Sequence, residues 1–315
     1  MNVLVTGGAG FIGSHTVERL LSHGAAVTVL DEFNDFYDPA IKRANVAGFQ
    51  GGAKVVEGDL RDRATVDRVF AEGKFDKVIH LAARAGVRPS IDDPALYLAT
   101  NINGTFHLLE AAKATGVPQF VFASSSSVYG INKKVPFAET DRIEQTISPY
   151  AMTKMAGEQM CSNYTNLYGI RTVCLRFFTV YGPRQRPDLA ISKFTALIDQ
   201  NQPVPRYGDG STARDYTYID DIVDGIMAAS AYGGEPFDIF NLGGSQTTTL
   251  AGLIAAVEAA LGKQALIQAL PLQPGDVPLT YADVSKAKRL LGYNPNTPIQ
   301  EGIPKFVHWY LGRTR

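Results

Sequence analysis

NVLVTGGAGFIG, at residues 2–13, joins a short apolar run to glycines that recur at every third position. Residues 2–6 predict a buried strand, and the apolar pattern that begins at Ile12 predicts a helix directly after the glycines. Glycine permits a tight turn and a close approach of the backbone to a ligand. The start of a helix offers free N–H groups and the positive end of a dipole, so this stretch predicts a phosphate-binding turn.

A strand, a glycine turn and a helix in that order begin a Rossmann dinucleotide-binding unit. The spacing here is G-x-x-G-x-x-G, which differs slightly from the usual G-x-G-x-x-G. The flanking strand and helix favour the dinucleotide interpretation over a purely structural turn. We therefore expect a group of residues in this turn to contact the cofactor, namely Gly7, Gly10, Phe11, Ile12 and Gly13.

Asp31 ends the second predicted strand, residues 26–30, and stands 18 positions after Gly13. A carboxylate there can accept hydrogen bonds from both adenosine ribose hydroxyls, and it would repel the 2′-phosphate of NADP. Because we expect no compensating cation beside it, the cofactor is predicted to be NAD. Asn34 is a candidate for a further ribose contact, and a simple turn role fits its position equally well.

Further strands are predicted at residues 54–57, 77–80 and 119–123. Asp59, in a Gly-Asp-Leu turn after the first of these, is a candidate acceptor for the adenine amino group. The alternative is that Asp59 N-caps the next helix. Small residues after the fourth strand would let a cofactor lie across the strand end. These positions add Asp59, Leu60, Leu81, Ala82 and Ala83 to the predicted cofactor site.

Tyr150 and Lys154 are four residues apart, on one face of a helix that Ser148 and Pro149 predict to begin. A lysine ammonium near a phenol favours the phenolate and lowers the tyrosine pKa. Tyr150 is therefore a candidate proton acceptor. The short pattern alone would also describe a surface helix. A serine run, residues 124–127, follows the fifth strand, where parallel sheets bind ligands, and its hydroxyls could hold a sugar hydroxyl.

Composition narrows the possible partners. The formal net charge is -1 with 45% hydrophobic residues, so nothing favours binding to nucleic acid or to an anionic membrane. The sequence lacks an apolar run of the roughly 20 residues that a membrane span needs. Cys161 and Cys174 are expected to be buried free thiols, which predicts a cytoplasmic location and no metal site.

The motifs, taken in order, resemble those of the extended short-chain dehydrogenase/reductase superfamily, and specifically its nucleotide-sugar epimerases. They are GGAGFIG at 7–13, Asp31, GDL at 58–60, the run at 124–130, YAMTK at 150–154, YGPRQRP at 181–187 and RDYTYIDD at 214–221. Within that group the chain is most similar to UDP-glucuronate 4-epimerases, on residues 31–46, 80–91 and 176–190. In many UDP-galactose 4-epimerases an asparagine matches Thr179, which weakens the neutral-sugar interpretation.

The resemblance implies a role for each matching residue. Tyr150 would be the catalytic base, Lys154 would contact the nicotinamide ribose, and Ser125 would hydrogen-bond the sugar oxygen. Arg214 would bind the pyrophosphate and Asp276 the uridine ribose.

A sugar 6-carboxylate also needs donors, and the candidates are Ser126, Ser127, Thr179 and Arg186. Arg186 has two alternative roles, as a solvent-facing loop residue or as a ligand of the UDP phosphates.

The implied fold is α/β, a Rossmann doubly wound parallel sheet of about seven strands with a smaller C-terminal substrate-binding domain. The NAD-binding domain would be 1–178, with parts of 214–244 returning to it, and 179–315 would mainly bind the UDP-sugar. Family members commonly form homodimers through two long helices, here about 93–115 and 148–168. Those helices carry apolar stripes that would suit such pairing, but the simpler interpretation is that the stripes face the core.

The implied activity is that of an isomerase, an NAD-dependent 4-epimerase of a UDP-sugar that works through a transient 4-keto intermediate. UDP-glucuronate is the expected substrate and UDP-galacturonate the product. The alternatives are a 4-epimerase for UDP-glucose or UDP-N-acetylglucosamine, a 4,6-dehydratase, a decarboxylase, or a non-catalytic NAD-binding sensor. A dehydratase usually has an acidic pair where this chain has Ser126 and Ser127, which argues against that alternative.

Overall fold

A parallel sheet is the centre of the fold in the computed structural model, which describes residues 1–271 and 278–314. The strands, in chain order, are β1 (Asn2–Thr6), β2 (Ala26–Asp31), β3 (Ala53–Glu57), β4 (Lys77–His80), β5 (Gln119–Ser125), β6 (Arg171–Phe177), β7 (Thr179–Tyr181), β8 (Pro203–Tyr207), β9 (Ala213–Tyr218), β10 (Phe237–Leu242), β11 (Thr247–Thr249) and β12 (Leu266–Leu270). The α-helices are α1 (Phe11–Ser22), α2 (Pro39–Ala47), α3 (Arg63–Gly73), α4 (Val87–Asp92), α5 (Pro94–Tyr97), α6 (Gly104–Thr115), α7 (Pro149–Tyr168), α8 (Ala190–Asp199), α9 (Ile219–Ser230), α10 (Leu250–Leu261), α11 (Ser285–Leu291) and α12 (Ile299–Thr314).

The large sheet has seven strands in the order β3-β2-β1-β4-β5-β6-β10. Every neighbouring pair in it is parallel, and Thr6 of β1 lies opposite both Leu30 and His80. The strand order reverses between β1 and β4, which is the switch point where doubly wound sheets bind ligands. The predicted fold class is therefore confirmed.

Helices cover both faces of this sheet, so that apolar residues on both sides of its central strands are buried. In β1, Val3, Leu4 and Val5 are all fully buried. Val3 and Val5 pack in the same core cluster as α1 and α9, whereas Leu4 packs in the cluster that contains α3, α6 and α7.

The helix predicted at 93–115 is not a single α-helix. Its middle, Leu98–Asn103, is a π-helix that joins α5 to α6. Such wide turns insert one extra residue into the α-helical register and are frequent at functional sites. The π-helix carries Asn101, whose contacts are described below.

The later part of the chain forms two small sheets beside the large one, with strand orders β11-β9-β7 and β12-β8. The same part of the chain also returns to the large sheet. There α9 packs against β5 and β6, and β10 pairs with β6 as an edge strand. One hydrophobic cluster runs through both parts, since it contains Val3 and Val5 together with Leu253 and Ile254 of α10. The division into two domains near residue 178 stays a prediction.

Within the described ranges, no helix combines the length and hydrophobicity of a membrane span. Nor, over the same residues, do three or more His, Cys, Asp or Glu side chains gather as metal ligands would. Cys161 and Cys174 are both free and buried.

Candidate active site

A cavity lies over the carboxyl ends of the central strands, at the switch point of the sheet. Its wall includes every residue that the sequence analysis assigned to the cofactor or to catalysis: Gly7, Gly10, Phe11, Ile12, Gly13, Asp31, Asn34, Asp59, Leu60, Leu81, Ala82, Ala83, Ser125, Tyr150 and Lys154. The structure therefore brings these residues together, and the role of each one stays a prediction.

The glycine turn is a close-packed cradle at one end of this cavity. Gly7 has a φ of +71°, and a Cβ atom there would lie 2.7 Å from the Ala82 nitrogen. A Cβ atom on Gly13 would lie 2.1 Å from the Gly7 carbonyl oxygen. Among the described residues, no side chain caps the start of α1, which leaves its first N–H groups available to an anion.

Asp31 is buried and already has three hydrogen-bond donors. Its carboxylate accepts from the Ala9 N–H at 3.1 Å, from the Phe33 N–H at 3.1 Å and from the Lys42 ammonium at 3.0 Å. Lys42 lines the same cavity, with 9% of its side chain exposed. The expectation that no cation accompanies Asp31 was therefore wrong. No sequence pattern marks this pair, because Lys42 lies on α2 and meets Asp31 only through the packing of that helix beside the end of β2.

Asn34 and Asp59 both reach the cavity wall and are held by neighbouring side chains. The Asn34 amide oxygen accepts from the Phe36 N–H at 3.1 Å, which is the turn role considered as the alternative. Asp59 forms an ion pair with Arg61 at 2.6 Å, and the N-cap of α3 is Asp62 instead. Burial acts to raise the pKa of Asp59, but hydrogen bonds from Arg61 outweigh it and lower the pKa.

Helix α7 presents Tyr150 and Lys154 to the cavity. The Ser148 hydroxyl caps the helix by accepting from the Ala151 N–H at 3.1 Å, as predicted. The Lys154 ammonium donates to the Ala123 carbonyl at 2.7 Å and lies 5.9 Å from the Tyr150 ring centroid. Burial lowers the pKa of Lys154 to about 8.

The environment of Tyr150 favours the protonated phenol. Burial raises the pKa of Tyr150 above its ordinary value of 10.0, and the Ser125 hydroxyl and the Arg186 charge only partly oppose this rise. The net lowering of the Tyr150 pKa that Lys154 was expected to cause is therefore not found. Removing the phenolate from water destabilises it more than these charged and polar neighbours stabilise it.

A buried ion pair that the sequence analysis missed lies behind Lys154. Glu158, one turn further along α7, accepts from Arg176 at 2.9 and 2.8 Å and from the Ser124 hydroxyl at 2.5 Å. The Arg176 guanidinium lies 4.9 Å from the Tyr129 ring centroid. The signal was an acidic residue four positions after Lys154, which helical periodicity places on the same face.

Asn101, in the π-helix, joins the cavity wall to α7. Its amide oxygen accepts from the Arg84 N–H at 2.8 Å, and its amide nitrogen donates to the Arg84 carbonyl and the Thr153 hydroxyl, both at 3.0 Å. Both donors and the acceptor of this side chain are thus used within the protein. The geometry supports a structural role for this asparagine in a buried polar network.

Two of the predicted sugar contacts, Thr179 and Arg186, line the cavity. Arg186 is not a solvent-facing loop residue, since only 17% of its side chain is exposed. Its guanidinium forms a two-point ion pair with Asp188 at 2.9 and 2.8 Å and lies 5.3 Å from the Phe36 ring centroid. The arginine therefore stands within the electrostatic reach of Tyr150 but already has a carboxylate partner.

Three of the other predicted substrate contacts are absent from the described cavity wall. Ser126 and Ser127 begin a 3₁₀ turn and are absent from the described cavity wall, and the Ser127 hydroxyl lies 2.7 Å from that of Ser125. Arg214 is also absent from that wall, and it donates to the Ala213 carbonyl at 3.0 Å. Asp276 lies outside the described residues.

Comparison with known proteins gives the family. The model of the GDP-mannose 4,6 dehydratase family matches residues 4–306. The chain belongs to this family. The family is part of the extended short-chain dehydrogenases/reductases, so the resemblance inferred from the motifs is confirmed.

Relatives within the family are similar over the whole chain. UDP-glucuronate 4-epimerase 3 of Arabidopsis thaliana is 44% identical over 99% of this chain and 76% of that protein. The crystal structure of UDP-glucuronic acid 4-epimerase from Bacillus cereus, in complex with UDP-glucuronic acid and NAD, is 34% identical with a TM-score of 0.93 and covers 99% of this chain and 100% of that one. UDP-glucose 4-epimerase from Thermotoga maritima, with UDP-glucose, is also 34% identical with a TM-score of 0.93 and covers 100% of both chains.

Proposed function

We infer that this protein is an NAD-dependent isomerase, a UDP-glucuronate 4-epimerase that forms UDP-galacturonate through a transient 4-keto sugar. The observation that carries this inference is that Tyr150, Lys154 and Ser125 share the wall of one cavity with the glycine cradle and with Arg186. The names of relatives that match nearly the whole of this chain support the same activity.

The residues at the cradle end fit a dinucleotide. Gly7 and Gly13 let the turn pack tightly against backbone atoms of Ala82 and of the turn itself, and the uncapped start of α1 offers N–H groups to a pyrophosphate. Asp31 can accept from the ribose hydroxyls, and Lys154 can donate to the nicotinamide ribose. When bound, NAD supplies the hydride acceptor and a positively charged ring that favours the Tyr150 phenolate.

The proposed base is Tyr150. As a phenolate it takes the proton from the sugar 4-hydroxyl while the hydride leaves carbon 4, and it returns the proton after the hydride is delivered to the opposite face. Ser125, whose hydroxyl lies beside the phenol, holds the sugar oxygen during both transfers. Between the two hydride transfers, the 4-keto sugar has to rotate so that its opposite face meets the cofactor. The cofactor is unchanged at the end of the reaction.

Arg186 and Thr179 are the proposed contacts for the 6-carboxylate. The 4-keto form of UDP-glucuronate is a β-keto acid, which loses carbon dioxide when the bond to the carboxylate aligns with the carbonyl π system. An arginine can hold a carboxylate at two points and keep it out of that alignment. For this, Arg186 has to exchange its present partner, Asp188, for the substrate.

The second candidate is a 4-epimerase of a neutral sugar, UDP-glucose. It is favoured by the Arg186–Asp188 pair, which leaves the arginine charge neutralised, and by the similarity to the Thermotoga maritima structure. A 4,6-dehydratase is disfavoured despite the family name, because Ser126 and Ser127 stand where an acidic pair is usual.

Separate incubations of the purified protein with UDP-glucuronate and with UDP-glucose, each followed by separation of the product sugars, test the proposal. We expect UDP-galacturonate with no net change in NAD. Release of carbon dioxide and a UDP-pentose would identify a decarboxylase. Turnover of UDP-glucose alone would identify the neutral-sugar enzyme, and turnover of neither sugar would refute the proposed reaction.

We also propose a homodimer and a cytoplasmic location. Leu98 of the π-helix, Phe106 of α6 and Met152 of α7 are 40%, 44% and 39% exposed, which leaves apolar area on the helices expected to pair. The free thiols of Cys161 and Cys174 suit a reducing compartment.

A further inference from the structure

We propose that Lys42 is a latent ligand for a ribose 2′-phosphate, and that the Asp31–Lys42 pair, rather than Asp31 alone, sets the preference for NAD over NADP. The inference rests on the proposed use of a nicotinamide dinucleotide. The Lys42 ammonium is 3.0 Å from the Asp31 carboxylate, and the exposed fractions of the two side chains are 9% and 4%. Both residues line the cavity where the adenosine ribose is expected.

The fold holds Lys42 in this position through α2. Asp38 caps the helix by accepting from the Ala40 N–H at 2.9 Å. One turn after Lys42, the buried Asn45 amide donates to the Ala9 carbonyl at 3.0 Å, within the glycine turn. Because the Ala9 N–H donates to Asp31, the helix, the glycine turn and the carboxylate form one connected unit. The contacts of Asp38 and Asn45 thus hold the backbone of α2 beside the glycine turn, and the Lys42 ammonium also lies 5.6 Å from the Tyr37 ring centroid.

The other charged side chains at this edge of the cavity are paired with one another. Glu32 lies 3.3 Å from Arg84 and 3.6 Å from Arg61, and Arg61 also binds Asp59 at 2.6 Å. The Arg84 Nε atom is buried with no hydrogen-bond partner among the described residues. Removal of the Asp31 charge would therefore leave an excess positive charge here, centred on Lys42.

A 2′-phosphate would meet opposite forces from the two members of the pair. The Asp31 carboxylate repels it and also occupies the Lys42 ammonium, so the lysine contributes little to NADP binding in the native protein. Once Asp31 is replaced by a small neutral residue, the ammonium is free to bind the phosphate through a charge-assisted hydrogen bond. A serine at position 31 would also leave the room that the phosphate needs.

The test compares four proteins, freed of bound nucleotide, by calorimetric titration with NAD and with NADP. These are the native protein, Asp31→Ser, Lys42→Met and the double variant Asp31→Ser/Lys42→Met. We expect the native protein to prefer NAD. We expect Asp31→Ser to shift the NADP/NAD affinity ratio towards NADP by about 10- to 100-fold more than the double variant does.

Lys42→Met alone should bind NADP no better than the native protein, because Asp31 still repels the phosphate. Thermal unfolding of each variant identifies any that fail to fold, and Lys42→Gln then replaces Lys42→Met in both the single and the double variant. An equal shift in Asp31→Ser and in the double variant would overturn the inference while leaving NAD as the cofactor. Failure of the native protein to bind either dinucleotide would overturn both the inference and the proposed function.

Discussion

The Asn101 side chain donates a hydrogen bond of 3.0 Å to the Thr153 hydroxyl, across the contact between the π-helix and α7. Thr153 is the residue directly before Lys154, and Asn101 also holds both backbone polar groups of Arg84. This one amide therefore fixes the distance between the cavity wall at residues 81–86 and the helix that carries the proposed base.

Asn101→Ala should destabilise the protein by about 1–3 kcal/mol, because it leaves buried polar groups of Arg84 and Thr153 unpaired. Turnover should fall as well, since the wall and α7 lose their common anchor. Urea unfolding and steady-state kinetics measure the two effects. The matched control is Asn103→Ala in the same π-helix, where the side chain is exposed and little change is expected. A loss no larger in Asn101→Ala than in this control would contradict the prediction.

Tyr150→Phe should lower turnover by at least about 100-fold, which is the scale of lost general-base catalysis. The fold and NAD affinity should be close to native, because only a hydroxyl is removed. Kinetics with UDP-glucuronate and titration with NAD check both statements. Tyr168→Phe, on the same helix but half exposed, controls for the loss of a phenol. Near-native turnover in Tyr150→Phe would exclude this residue as the base.

Arg186→Ala should lower kcat/KM for UDP-glucuronate about 10- to 100-fold more than for UDP-glucose, because only the acid sugar carries the proposed partner of the guanidinium. Asp188→Asn should have the opposite effect and lower KM for UDP-glucuronate, since it removes the competing carboxylate. Both variants are assayed on both sugars, with a check for released UDP-pentose. Equal losses on the two sugars would mean that Arg186 does not recognise the carboxylate.

Lys154 should make the protein less stable at neutral pH than at alkaline pH. Burial lowers its pKa from 10.5 to about 8, so the unfolded chain binds more protons between these values. The free energy of unfolding therefore rises with pH between about 8 and 10.5. As pH falls back through this window, the same stability is lost, and the loss is complete below about 8.

The measurement for Lys154 is urea unfolding of the native protein and Lys154→Met from pH 7 to 10.5. The variant should be the more stable of the two at pH 7, by up to about 3 kcal/mol, and the gap should close as pH rises. It should also be inactive, since the proposed ribose contact is gone. The exposed Lys133→Met serves as the control. A gap that does not change with pH would show that Lys154 is not desolvated as the structure indicates.

Phe106→Lys should convert the proposed homodimer to a monomer, because it places a charge on the exposed apolar face of α6. Sedimentation velocity over a range of concentrations measures the change. Leu290→Lys, at a similarly exposed position on α11, should leave the association state unaltered. A native protein that sediments as a monomer throughout would refute the dimer itself.

The central strands could be predicted from the sequence because buried parallel strands are continuous apolar runs with turn residues at both ends. The predicted bounds of β1 and β4 agree with the structure. The short strands β8 and β12 were not predicted, since the first contains two prolines and the second is mostly exposed. Local pattern carries little information on such strands, which depend on one another for pairing.

The candidate site was predictable where backbone geometry demands a residue type, as at Gly7, or where helical spacing pairs two side chains, as for Tyr150 and Lys154. It was not predictable where the outcome depends on distances between separate segments. The pairing of Lys42 with Asp31 and the raised pKa of Tyr150 are both of this kind. Each follows from how far two surfaces are buried together, which sequence spacing does not encode.

The return of the chain to β10 also limits how a protein of this fold can acquire new substrates. A recombination event at residue 178 would separate β10 from β6, its neighbour in the large sheet, and divide the hydrophobic cluster that both parts share. The part of the chain after residue 178 is therefore not an independent unit that recombination at this point can exchange. Point substitutions in the cavity wall, at positions such as Thr179 and Arg186, leave this shared framework intact and are the simpler route to new specificity.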